Sequence, residues 1–125
     1  KFTLAALQNE PLLIHGDGAQ IRAWCYIDDF VRGVLACLEK PKAVGEVFNL
    51  GNHAAAVTIR DLAETIIRVS GSSSKLVFKP ALAADVELRI PSTEKARRLL
   101  GFIPRVSLAE GLEKTIAWYR EYWKG

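Results

Sequence analysis

In the stretch HGDGAQIRAWCYIDD, His15 to Asp29, a Gly16-Asp17-Gly18 turn leads into a single arginine, Arg22, within a segment that is otherwise apolar. A guanidinium among apolar residues needs an anionic partner, because an unpaired buried charge is strongly destabilising. A second arginine, Arg89, stands in the irregular stretch DVELRIPS just before Pro91. Loops of that kind carry ligand contacts more often than framework contacts. Two such arginines can grip a phosphate or diphosphate bidentately. Each can equally pair with an internal carboxylate, Asp17 and Asp85 being the candidates, and the residues alone leave both readings open.

Other chemistry fails to assemble. His15 and His53 are far apart, and neither has metal-ligand spacing to a second His or to a Cys. Gly16 and Gly18 lack the third glycine and the following helix that a dinucleotide fingerprint requires. Ser72 to Ser74 reads as a turn after a helix rather than as a nucleophile. The Asp28-Asp29 pair could suggest acid–base work, but it opens an apolar periodic run and reads as a helix N-cap. We therefore expect no catalytic residue, no cofactor loop and no metal site in this chain.

The elements that must position the arginines are short. Phe2 to Leu7 has helical spacing and stops before Pro11; Leu12 to Ile14 is a strand running into the glycine turn. Ala23 to Ile27 suits another strand. The helix after it is expected to bury Phe30, Val31, Val34, Leu35 and Leu38 and to end near Pro41. GEVFNLGN reads as a strand of about five residues, in keeping with common strand lengths. Thr58 and Asp61 predict a capped helix burying Leu62, Ala63, Ile66 and Ile67 up to Gly71, and Ser107 and Glu110 predict another over Leu112, Ile116 and Tyr119. Between these lie a strand, Leu76 to Phe78, and a short helix from Thr93 to Leu100 stopped by Gly101. The class is α/β, a small mixed α+β piece with four to five helices.

Composition bounds the rest. The chain has 125 residues, half of them apolar, enough for one modest core. No apolar run approaches the ~20 residues that cross a bilayer, so no membrane partner is expected. Cys25 and Cys37 read as buried thiols of a reducing, cytoplasmic setting. The formal net charge is +3 and the pI near 9.0. Lys95, Arg97 and Arg98 share a predicted helix with Glu94 and form a solvated face, and Trp118, Tyr119, Tyr122 and Trp123 recur at helical spacing, so no nucleic-acid partner is expected. The chain lacks Met, and its opening KFTLAALQNEP reads as the end of a helix cut from a longer polypeptide.

PLLIHGDGAQIRAWCYIDDFVRGVLACLEK, GEVFNLGN, VTIRDLAETIIRVSG and DVELRIPSTEKARRLLGFIPRVSLAEGLEKTIAWY, in this order, resemble the C-terminal, substrate-side part of the extended short-chain dehydrogenase/reductases. Those are NAD-dependent nucleotide-sugar epimerases, 4,6-dehydratases and UDP-glucuronate decarboxylases, and the resemblance covers nearly the whole chain. It implies that residues 1–125 are a substrate-binding portion whose partner is a nucleotide-diphosphate sugar. By position, Arg22 and Arg89 would hold the diphosphate. Leu13 and His15 would lie against the base, with His15 where Tyr or Phe is usual, and Gln20 would occupy a polar position beside the ligand. Ser92 stands where Asp is common and can still cap the short helix. The resemblance places NAD in an N-terminal Rossmann domain, whose glycine fingerprint and Tyr-Lys pair do not occur here, so the chain alone is expected to be inactive. It also places GEVFNLGN in the large sheet of the whole enzyme, which implies a homodimer of the fragment through an exposed sheet edge or an exchanged helix. The rival reading is a stand-alone module of the same descent that binds a nucleotide sugar or a protein without catalysis.

Overall fold

The computed structural model describes residues 1–123. In chain order the elements are α1 (Phe2–Leu7), β1 (Leu12–His15), β2 (Ile21–Ala23), α2 (Ile27–Glu39), β3 (Ala56–Thr58), α3 (Ile59–Ser70), β4 (Leu76–Lys79), β5 (Leu88–Arg89), α4 (Glu94–Leu100) and α5 (Leu108–Tyr122). Single 3-10 turns occupy Pro41–Ala43 and His53–Ala55. β1 and β4 pair in parallel, in register from Leu12↔Leu76 to His15↔Lys79, and a three-stranded sheet runs in the order β3-β2-β5. This is the small mixed α/β architecture expected from alternating short strands and helices. Among the described residues, no helix is long and apolar enough to cross a membrane. The chain divides into two compact units, one formed by Lys1–Arg22, Val57–Leu88 and the residues from Ala109 onward, the other by Ala23–Ala56 and Arg89–Leu108.

The first unit is built around the parallel pair. Alternation along β1 buries Leu12 and Ile14 completely and turns Leu13 and His15 outward. Helix α3 makes the crossover that a parallel pair requires. Its start is capped by Thr58 Oγ1, which accepts the Asp61 amide at 2.9 Å, and its end by Gly71 in the left-handed region at φ 66°. Leu62, Ala63 and Ile66 form its buried stripe. Arg120 of α5 donates to Ser70 O at 2.8 Å, fastening α5 to the last turn of α3, where carbonyls lack helical partners.

The second unit departs from the sequence expectation in a revealing way. Helix α2 starts with Tyr26 at its N-cap, so Ala23 to Ile27 is not a strand and neither Asp28 nor Asp29 caps the helix. Asp29 is instead fully buried, and its Oδ2 accepts the amides of Arg105 and Val106, both at 2.9 Å. Arg32 donates to its other oxygen. The inward face of α2 then carries Asp29, Gly33, Ala36 and Cys37, at helical spacing and all small or polar. Ala36 and Cys37 pack on the core of Ala96, Leu100 and Phe102, together with Phe48 and Leu50. A Cβ on Gly33 would stand 2.9 Å from both Leu50 Cδ atoms and 3.0 Å from Phe102 Cδ2, so the helix approaches as closely as a glycine permits.

The large residues expected to be buried are therefore outside. Phe30, Val31, Val34 and Leu35 are about half exposed, and Leu38 is 79 % exposed. Periodicity selects the bulky apolar stripe of α2, although close approach demands the face of small residues. GEVFNLGN likewise forms no strand. Residues 46–50 have no ladder partner among the described residues, and Val47 is 82 % exposed, while Phe48 and Leu50 turn inward.

Two outcomes follow from this packing. Gly33→Val should lower unfolding stability by about 1–3 kcal/mol, read from urea denaturation, because the added methyls overpack against Leu50 and Phe102. The second concerns acid. Burial pushes the Asp29 carboxyl up, but the Val106 amide, the Arg32 guanidinium and the Arg105 amide outweigh it and hold its pKa below the ordinary carboxylate value. A depressed folded pKa contributes stability above the unfolded value of about 4 and loses it as pH falls through the folded pKa. Denaturation midpoints should thus fall below about pH 4. Asp29→Asn should be less stable at neutral pH by about 1.5–3 kcal/mol and show a shallower acid decline.

Candidate ligand site

The first unit brings four of the five expected contact residues together. Gly16 and Gly18 hold positive φ angles of 72° and 79°, which turns the chain sharply out of β1. Asp17 Oδ1 accepts the Ala19 amide at 2.9 Å and closes the turn. The reversal delivers Gln20 back to the strand it left: its Nε2 donates to His15 O at 2.8 Å and to Asp85 Oδ2 at 2.7 Å. With both amide hydrogens so engaged, Gln20 Oε1 is buried without a hydrogen-bond partner among the described residues. An orphaned acceptor of this kind costs about 1–3 kcal/mol.

Arg22 follows on β2. Its Nη1 donates to Ile21 O at 2.9 Å and its Nη2 to Asp85 Oδ1 at 2.9 Å, and Glu87 O lies 3.5 Å from Nη1. The Arg22 side chain is 11 % exposed and that of Asp85 29 %. Of the two internal partners that the sequence offers, the structure pairs Arg22 with Asp85 and uses Asp17 in the turn. His15 Nδ1 donates to Pro80 O at 3.2 Å. Leu13, half exposed on the same face of β1, gives the neighbourhood an apolar surface.

Arg89 belongs to the second unit. It is the last residue of β5, exposed and without an ion pair or side-chain hydrogen bond among the described residues. The segment after it is held by NLGNH: Asn49 Nδ2 donates to Ser92 O at 3.3 Å, and a Cβ on Gly51 would fall 2.7 Å from Pro91 Cγ. Ser92 does not cap α4. Thr93 takes the N-cap position, and its Oγ1 lies 3.3 Å from His53 Nδ1 instead. His53, absent from the expected contacts, lines an open pocket with Ile90, Pro91, Ser92, Glu94 and Arg97. Among the described residues no group of three or more His, Cys, Asp or Glu side chains could hold a metal ion.

The family model described as GDP-mannose 4,6 dehydratase matches residues 2–115. A UDP-N-acetyl-alpha-D-glucosaminuronate decarboxylase of Bacillus cytotoxicus is 35% identical over 97% of this chain, which spans 39% of that relative. Among solved structures, an epimerase of Methanothermobacter thermautotrophicus superposes with a TM-score of 0.92 at 35% identity, over 98% of this chain and 37% of its own. The UDP-glucuronic acid 4-epimerase of Bacillus cereus, solved with UDP-glucuronic acid and NAD, superposes with a TM-score of 0.88 at 34% identity, over 96% of this chain and 38% of its own. The ordered motifs, the parallel pair with its glycine turn, and these matches along nearly the whole sequence converge: the chain belongs to the GDP-mannose 4,6 dehydratase family of NAD-dependent extended short-chain dehydrogenase/reductases.

Proposed function

We propose that residues 1–125 are the portion of a nucleotide-sugar epimerase or decarboxylase that holds the sugar nucleotide. In this reading Arg22 and Arg89 take the diphosphate, and Leu13, His15 and Gln20 lie at the base. The observation that carries it is the local gathering of Leu13, His15, Gln20 and Arg22, with a nearly buried guanidinium whose charge is met, among the described residues, by a single, partly exposed carboxylate. The Bacillus cereus epimerase, solved with a UDP-sugar and NAD, supports a ligand of that class. His15 offers less stacking area than Tyr or Phe would, so the base contact should be modest.

NAD, when bound in the whole enzyme, would supply hydride-transfer chemistry at the sugar. This chain's share is to grip the diphosphate and hold the sugar in a reactive pose, which removes the entropy of orientation from the chemical step. The nicotinamide site belongs, in this reading, to the part of the family's length that the chain does not span. The outward face of α2 and the unpaired residues 46–50 are consistent with such a division, because a bulky apolar helix face and an extended segment without ladder partners are the two halves of an unfilled α/β layer.

The ligand reading has a direct test. Titration calorimetry with UDP, GDP and dTDP should show weak binding, and Arg22→Ala should remove about 1.5–3 kcal/mol of it, the range for a charge-assisted hydrogen bond. Equal binding by wild type and variant would make Arg22 structural. The exposed apolar surface has its own consequence. Left without cover, the chain should self-associate, most simply as a two-fold dimer pairing residues 46–50 or exchanging a terminal helix. Light scattering across a concentration series should show the mass rising to twice the monomer's, and a monomer persisting at high concentration would refute this.

A further inference from the structure

Arg22 as it stands is already occupied. Asp85 Oδ1 accepts from its Nη2 at 2.9 Å, and Asp85 Oδ2 accepts from Gln20 Nε2 at 2.7 Å. One carboxylate thus bridges two of the residues proposed above to meet a nucleotide diphosphate. A phosphate brought to the same guanidinium would face a like charge at close range, and at a partly dry surface that repulsion is substantial. Either Asp85 moves or the anion is turned away.

The segment carrying Asp85 is held by few contacts. Residues 80–87 contain no helix or strand. They are fastened at one end by His15 Nδ1 to Pro80 O at 3.2 Å and at the other by the Ile21 amide to Glu87 O at 2.8 Å. Between those points, every hydrogen bond that ties residues 81–86 to the rest of the described chain runs through the Asp85 carboxylate. Apolar packing adds little, since Leu82 and Val86 are both more than half exposed. The pinned arrangement also leaves Gln20 Oε1 buried and unpartnered. A strap anchored at both ends and pinned between them by one side chain is freed from the rest of the chain once that side chain is displaced.

We propose that Asp85 is an internal stand-in for phosphate: it occupies Arg22 and pins the 80–87 strap, and a bound diphosphate displaces it and releases the strap. The proposal rests on the diphosphate reading of Arg22. Its test uses the 125-residue chain with inorganic pyrophosphate as the probe, titrated calorimetrically into wild type, Asp85→Asn, Asp85→Ala and Arg22→Ala. Removing the internal competitor should tighten binding by about three- to fivefold in both Asp85 variants, the scale of a partly exposed ion pair. Backbone 15N relaxation gives a second readout. Order parameters of residues 81–86 should drop from about 0.85 toward 0.6 in wild type on saturation with pyrophosphate, and should be low in Asp85→Ala without ligand. Binding that Arg22→Ala abolishes but neither Asp85 variant strengthens, with the strap equally ordered throughout, would overturn the latch alone and make Asp85 a residue that orients Arg22. Absence of pyrophosphate binding in every chain would overturn the diphosphate reading and the latch with it.

Discussion

The second unit depends on one buried carboxylate. Asp29 is 1 % exposed, and an ion taken so completely from water is tolerable only when its lone pairs are met. They are met by the amides of Arg105 and Val106 and by Arg32. Because the carboxylate is short and those amides belong to backbone, the first turn of α2 must lie close against the chain just before α5. That closeness propagates along the helix. One turn on, only Gly33 fits against Leu50 and Phe102, and beyond it Ala36 and Cys37 continue the narrow face onto Leu100 and its neighbours. The bulky stripe from Ile27 to Leu38 has no room inward and is turned outward as a consequence.

That chain of causes explains what could be read from the sequence. Elements whose signals are local were legible: the Thr58 cap and Gly71 stop of α3, the alternation of β1 and the glycine turn all depend on residues within a few positions of one another. The family was legible for a different reason, since four motifs in fixed order constrain one another more tightly than any motif does alone. Asp29 reads locally as a cap because the two backbone amides that it accepts lie 76 and 77 residues away, beyond any local pattern. The inside of α2 is not legible because a hydrophobic period locates the bulky apolar stripe and does not rank a face of small residues above it. Residues 46–50 read as a strand from their side chains, yet a strand is completed by a neighbour, and no described segment supplies it.

At the proposed ligand site the residues are legible in the sequence and their pairing is not. Leu13, His15, Gln20 and Arg22 fall within one turn and two short strands, so their proximity follows once the turn is recognised. Asp85, 63 residues from Arg22, was one of two plausible carboxylates, and only the fold decides between them. Asp17 was spent on its own turn, as the spacing of an Asp between two glycines makes natural.

Asp29 and Asp85 have the same side chain and almost the same valence of contacts, a guanidinium and two N–H donors each, yet they are placed to different ends. For Asp29 both amide donors come from backbone fixed by the fold, and the side chain is 1 % exposed; removing it leaves two amides without their acceptor. For Asp85 one donor is the flexible Gln20 side chain, another is the amide of its own neighbour Val86, and the carboxylate is 29 % exposed. Water at that edge lowers the strength of the Arg22 pair and offers a substitute for each bond that breaks. Burial therefore separates the two roles more sharply than contact count does: the same ion pair is framework where water is excluded and is exchangeable where water remains at hand. A guanidinium that must be kept satisfied in a protein's interior, and yet be given up to an incoming anion, is best served by a partner of the second kind.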